Sequence, residues 1–123
     1  MKQTIVGVGI DIEKTNRFRM KKAGSLTKKI FTGQEIEYCF GKRYPHTSLS
    51  ATYAAKEAAY KALAGLGKKQ GRIKIKDVEI VRGKSGNPKI VIHGALARGI
   101  NLHLSMAHDE ERAVACVIAT REG

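Results

Sequence analysis

A chain of 123 residues has room for one hydrophobic core and not for two. With 42% hydrophobic residues and two prolines it has a globular composition, and no apolar run approaches the roughly 20 residues of a membrane span. Lysine and arginine total 23 against 11 acids, and the formal net charge of +12 implies an anionic partner: nucleic acid, a phosphorylated small molecule or an acidic protein.

The first element, in the stretch TIVGVGIDIE, is a strand from Thr4 to Ile12. Its period of two puts Val6, Val8, Ile10 and Ile12 on one face and Ile5, Gly7, Gly9 and Asp11 on the other. The aliphatic face is expected to be core. The other is a strip emptied of side chains beside a carboxylate, and glycine in a strand marks close approach of a ligand or another backbone. Taken alone, Asp11 suits a strand-end or helix-capping role. The GVG is no dinucleotide fingerprint, because the third glycine position is Ile12. With no small-residue cleavage site after this segment, and with Cys39 and Cys116 too isolated for a disulfide framework, the chain is expected to be cytoplasmic with reduced thiols.

Thr15 to Ile30 reads as a basic helical stretch broken around Gly24 and Ser25. Thr32 caps a short helix through Phe40, Glu35 completes a capping box and Gly41 stops it. KRYPHT is expected to be a loop, since Pro45 resists helix and biases Tyr44 toward extended geometry. Leu49 to Leu66 is the strongest helix, capped by Ser48 or Ser50, with Ala55, Ala59, Ala62, Leu63 and Leu66 in one apolar stripe. The period then shortens: Val78 to Val81 and Lys89 to His93 are strands joined by the turn RGKSGNP. A brief helix is expected at Gly94 to Gly99, then strands at Leu102 to Met106 and Ala113 to Ala119, linked through AHDEER. This order gives an α+β fold, a mainly antiparallel sheet packed on a long alanine-rich helix, as a single domain over residues 1–123.

Chemistry-bearing residues are sparse. Glu57 and Lys61 share a face of the long helix, with Tyr53 one turn earlier. They suit a surface ion pair of about 0.3–0.5 kcal/mol, or a carboxylate and an ammonium that together hold a metal-bound phosphate. His108 sits just past a strand; alone it reads as a turn histidine, and no histidine spacing suits zinc. KKQGRIKIK and RFRMKK suit nucleic acid, but 6% aromatics, no tryptophan and no zinc-finger or RNP-type motif argue against it.

Read in order, the segments resemble the holo-acyl-carrier-protein synthases, the short 4′-phosphopantetheinyl transferases. The resemblance rests on Gly9-Ile10-Asp11, on Tyr53-Ala54-Ala55-Lys56-Glu57-Ala58 through Lys61, and on Ser105-Met106-Ala107-His108. Ile30-Phe31-Thr32 with Glu35, Asp77-Val78-Glu79-Ile80 and Ser85-Gly86-Asn87-Pro88 extend it over nearly the whole chain.

The resemblance implies a 4′-phosphopantetheinyl transferase-like fold and transfer of the phosphopantetheine arm of coenzyme A to a serine of apo acyl carrier protein. It implies Mg²⁺ held by Asp11 and Glu57, with Lys61 meeting phosphate charge. His108 and Gly86-Asn87-Pro88 are implied at the adenosine end, and Lys42 and Arg43 near the 3′-phosphate. It further implies a homotrimer with sites between subunits, and gives the positive charge an acidic carrier to meet, docked through Arg17, Arg19, Lys21 and Lys22. Neither nucleic acid nor membrane is an expected partner. Two positions depart from the family pattern. Thr52 stands where an arginine is usual, so contacts to coenzyme A's phosphates are weaker or come from Lys42 and Arg43, and Ala107 replaces a common serine.

Overall fold

The computed structural model describes residues 2–66, 73–94 and 98–122. Strand β1 (Gln3–Lys14) runs into a 3-10 turn at Thr15–Phe18, followed by helices α1 (Ser25–Ile30), α2 (Gly33–Phe40) and α3 (Pro45–Ala64). After a second 3-10 turn at Ile75–Asp77 come β2 (Val78–Arg82), β3 (Pro88–Ile92), β4 (Ile100–His108) and β5 (Arg112–Glu122). All pairings are antiparallel: a three-stranded sheet in the order β1-β5-β4 and a two-stranded β2-β3 sheet. The α+β class and the sheet-on-helix arrangement are those expected from the sequence.

Helix α2 has the anticipated start, with the Thr32 hydroxyl accepting from the Glu35 amide at 3.2 Å and the Glu35 carboxylate accepting from the Thr32 amide at 2.9 Å. Helix α3 begins earlier than expected. Pro45 occupies its first turn, where the missing N–H costs nothing and the fixed φ is already helical, so only the first residues of KRYPHT are loop. Neither Ser48 nor Ser50 caps it, because both lie inside the helix. The expected helix at Gly94 to Gly99 falls partly on residues outside those described, as does most of KKQGRIKIK.

The largest correction concerns β1. Val8, Ile10 and Ile12 are 60%, 62% and 60% exposed, and the face turned inward is that of Gly7, Gly9, Asp11 and Glu13. Only Val6, at a register break, packs against the core as expected. The cause is α3. A Cβ on Gly7 would stand 1.9 Å from the Ala62 carbonyl oxygen, and one on Gly9 would stand 1.9 Å from that of Ala58. The glycines are therefore cleared for a helix backbone rather than for a phosphate. Ala54, Ala55, Ala58, Ala59, Ala62 and Leu63 then meet Ala115, Val117 and Ala119 of β5 in the main core.

A buried ion pair ties the helices to the second sheet. Lys56 Nζ lies 2.8 Å from Glu35 Oε1, both side chains wholly buried, and Lys56 also donates to the Val78 carbonyl. Glu35 Oε2 accepts from the Ile80 amide at 2.8 Å. Burial pulls the Lys56 ammonium below its usual pKa, with the Glu35 charge opposing it.

Candidate active site

The inward face of β1 ends in two acids, and α3 lies across it. Lys61 Nζ donates to Asp11 Oδ1 at 3.1 Å and to the Ile10 carbonyl at 3.1 Å. It thus reaches across to the strand rather than back along the helix to Glu57. Asp11 Oδ2 is buried and has no partner among the described residues. Glu57, half-buried, stands one turn before Lys61.

Glu13 belongs to the same group, although the sequence reading passed over it. Its period-two position, next after Asp11 on the same face, was the available signal. It is buried and paired with Arg17 at 3.2 Å. Burial first, then the neighbouring Asp11 carboxylate, push its pKa up to about 7, with Arg17 opposing and Glu57 adding to the rise. The Tyr53 hydroxyl is pushed up to about 12 by burial, then by the charge and hydrogen bond of Glu57, and further by Glu13 and Asp11. Three carboxylates and a phenol therefore share one field. No set of three or more His, Cys, Asp or Glu side chains converges on a metal position among the described residues. The carboxylates that could hold a hard cation such as Mg²⁺ are Asp11 and Glu57, a pair that would leave coordination positions for substrate oxygens. The orphaned Asp11 oxygen is the atom such an ion would satisfy.

On the flank of α3 a cavity of about 340 Å³ is lined by Tyr38, Lys42, Arg43, Ser48, Arg82 and His108, among others. No described carboxylate lines it. Lys42 Nζ and the Arg82 guanidinium each lie 4.4 Å from the centroid of the Tyr38 ring. Lys42, Arg43 and His108, expected at the nucleotide end, are thus brought together. The turn expected beside them is not: Gly86 and Asn87 are exposed, and Pro88 lines a separate cavity of about 650 Å³ with Arg98 and His103. Arg17, Arg19, Lys21 and Lys22 are all exposed, in and just after the turn that follows β1.

The sequence model of the 4′-phosphopantetheinyl transferase superfamily matches residues 7–117, from Gly7 into the last strand. The chain belongs to that superfamily. Among its relatives is the holo-[acyl-carrier-protein] synthase of Chlamydia trachomatis, 42% identical over 120 residues that cover 92% of this chain and 98% of that one. The fatty acid synthase subunit alpha of Candida albicans is 34% identical over 119 residues. The match takes in 92% of this chain but only 6% of that fungal protein's length. A solved holo-(acyl-carrier-protein) synthase from Bacillus anthracis, in complex with CoA (3′,5′-ADP), superposes with a TM-score of 0.77 at 30% identity, covering 96% of this chain and 98% of that one. No helix among the described residues is long and apolar enough to cross a membrane.

Proposed function

We propose that this protein is a holo-[acyl-carrier-protein] synthase acting in fatty acid biosynthesis in the cytoplasm. It moves the 4′-phosphopantetheine arm of coenzyme A to a serine hydroxyl of an acidic apo carrier protein and releases adenosine 3′,5′-bisphosphate. The serine O–P bond forms as the bond from that phosphorus to the leaving phosphate breaks. The reading is carried by Asp11, one oxygen held by Lys61 and the other buried without a partner beside the helix that bears Glu57. Asp11 and Glu57 would hold Mg²⁺, which neutralises pyrophosphate charge as it builds on the leaving oxygen.

The protein's own groups do the remainder. Lys61, steadied by Asp11, presents an ammonium to the leaving phosphate, and Glu57 stands as acceptor for the serine proton. Lys42, Arg43 and His108 supply the charge and polar lining for the nucleotide end. The exposed bases Arg17, Arg19, Lys21 and Lys22 receive the acidic carrier and make the encounter rate salt-sensitive. The bare aliphatic face of β1 supports assembly into a homotrimer. Sites at subunit boundaries would let the Gly86-Asn87-Pro88 turn of one subunit close on the basic cavity of the next.

The test is the intact mass of an apo carrier protein after incubation with coenzyme A, Mg²⁺ and this protein. The expected result is a gain of one phosphopantetheine. No gain, while an authentic synthase modifies the same carrier, overturns the reading.

A further inference from the structure

Arg82 ends β2 inside the basic cavity, and its surroundings are those of a built anion site. Its Nη2 donates to Thr52 Oγ1 at 3.0 Å. Thr52 in turn spends its own proton on the Ser48 carbonyl at 2.8 Å, which leaves its lone pairs for the guanidinium. The guanidinium is also stacked against Tyr38, 4.4 Å from the ring centroid. Held on two sides, it nevertheless has a buried Nη1 with no partner among the described residues. A charged donor in that state lacks an acceptor, and none of the residues lining the cavity supplies a carboxylate.

We propose that Arg82, positioned by Thr52, recognises the ribose 3′-phosphate of coenzyme A. The inference rests on the transferase reading above and names a residue that reading did not use. Coenzyme A carries one phosphomonoester, and its pyrophosphate is accounted for at Asp11, Glu57 and Lys61. A dianion at the other end matches a cavity lined by Lys42, Arg43 and Arg82. Arg82 differs from the other two in being pre-organised: Lys42 and Arg43 are exposed, whereas the Arg82 fork is fixed before any ligand arrives. Thr52 now has a reason to be small and polar. A guanidinium on α3 at that position would meet the one already supplied from β2. The positive charge expected on the helix has moved to the strand, and the threonine is its anchor.

Dephospho-coenzyme A, which lacks only the 3′-phosphate, is the probe. In the transfer assay Arg82→Gln should raise KM for coenzyme A by roughly 10- to 100-fold, the loss falling on KM rather than kcat, and leave KM for dephospho-coenzyme A where it was. Thr52→Val, which keeps the side chain's shape, should move the preference the same way by less, and Arg82→Lys should restore part of it. If the preference for coenzyme A survives Arg82→Gln, or KM rises equally for both substrates, Arg82 is a packing residue and the proposal falls. Should Arg82→Gln fail to fold, an unchanged preference in Thr52→Val decides against it equally. Calorimetric binding of adenosine 3′,5′-bisphosphate against adenosine 5′-monophosphate separates this proposal from the transferase reading. A 3′-phosphate preference that depends on Arg82 in a protein that modifies no carrier would sustain the site and remove the reaction.

Discussion

Gly9 lies against the carbonyl of Ala58 so closely that a Cβ on the glycine would stand 1.9 Å from that oxygen. The contact sets how near β1 runs to α3, and therefore where Asp11 stands relative to Glu57 and Lys61. Gly9→Ala cannot be absorbed by a rotamer change, because the obstacle is backbone. The expected outcome is a loss of about 3 kcal/mol, read as a fall in Tm of roughly 10 °C by circular dichroism. Gly33→Ala is the control: a Cβ there meets nothing within 4 Å and sits in the first turn of α2, so its Tm should hold or rise. Equal melting of the two variants would show that the strand and helix can part without loss.

The opposite face of β1 makes a prediction about assembly. Val8, Ile10 and Ile12 pair across to Ile118, Cys116 and Val114, giving the three-stranded sheet an aliphatic outer face that no described element covers. Ile10→Lys puts a charge at its centre without touching the α3 side. In sedimentation velocity the wild type should run as a trimer and Ile10→Lys as a folded monomer with reduced transfer activity. A monomeric wild type, or a variant that sediments like it, removes the proposed trimer.

These two faces mark where the sequence was informative and where it was not. The capping box at Thr32 and Glu35 and the alanine stripe of α3 are local patterns, and each appears in the structure where its pattern put it, whereas Lys61, on the helix face of Glu57, reaches Asp11 across the strand instead. The packing side of β1 is not a local property. A monomer is expected to bury Val8 and Ile10, but the alanines of α3 allow an approach so close that only glycine fits beneath, and the aliphatic side is left outside. Pro45 misled for a related reason: proline blocks a helix interior but suits a first turn, and only the fold decides which it is. Arg82 was invisible because its partner Thr52 is 30 positions away and on a different element.

Asp11→Asn and Glu57→Gln test the metal pair. Each replaces a charged oxygen with an uncharged amide of the same shape, so the transfer rate should fall roughly 100-fold or more and its Mg²⁺ requirement should shift upward. Chelation of the wild type should produce the same loss, reversed by adding Mg²⁺. Tm should be maintained in both variants, since Asp11→Asn removes a charge whose second oxygen is buried without a partner. Full turnover in both variants would show that these carboxylates do not hold the ion.

Glu13 yields the pH prediction. Its ordinary pKa of 4.5 is pushed up to about 7 in the folded protein, chiefly by burial and by Asp11 beside it. Between those values the native state keeps a proton that the unfolded chain has released, so this group's contribution to stability falls as pH rises from about 4.5 to 7 and is flat beyond. Glu79 acts in the opposite sense. The Thr32 hydroxyl, donating at 2.6 Å, and His93 at 2.8 Å hold its pKa down, so its contribution is present above the ordinary carboxylate range and is lost as pH falls. The whole-protein profile mixes the two, and the informative quantity is the difference between wild type and Glu13→Gln. Glutamine imitates the protonated acid at every pH. The variant's Tm should therefore match the wild type near pH 5 and exceed it by a few degrees at pH 8, with the gap opening between. Mg²⁺ should narrow that gap, because a cation at Asp11 and Glu57 favours the ionised Glu13 in the native state. A gap that is constant from pH 5 to 8 would mean that Glu13 is ionised throughout and that its neighbours do not press on it.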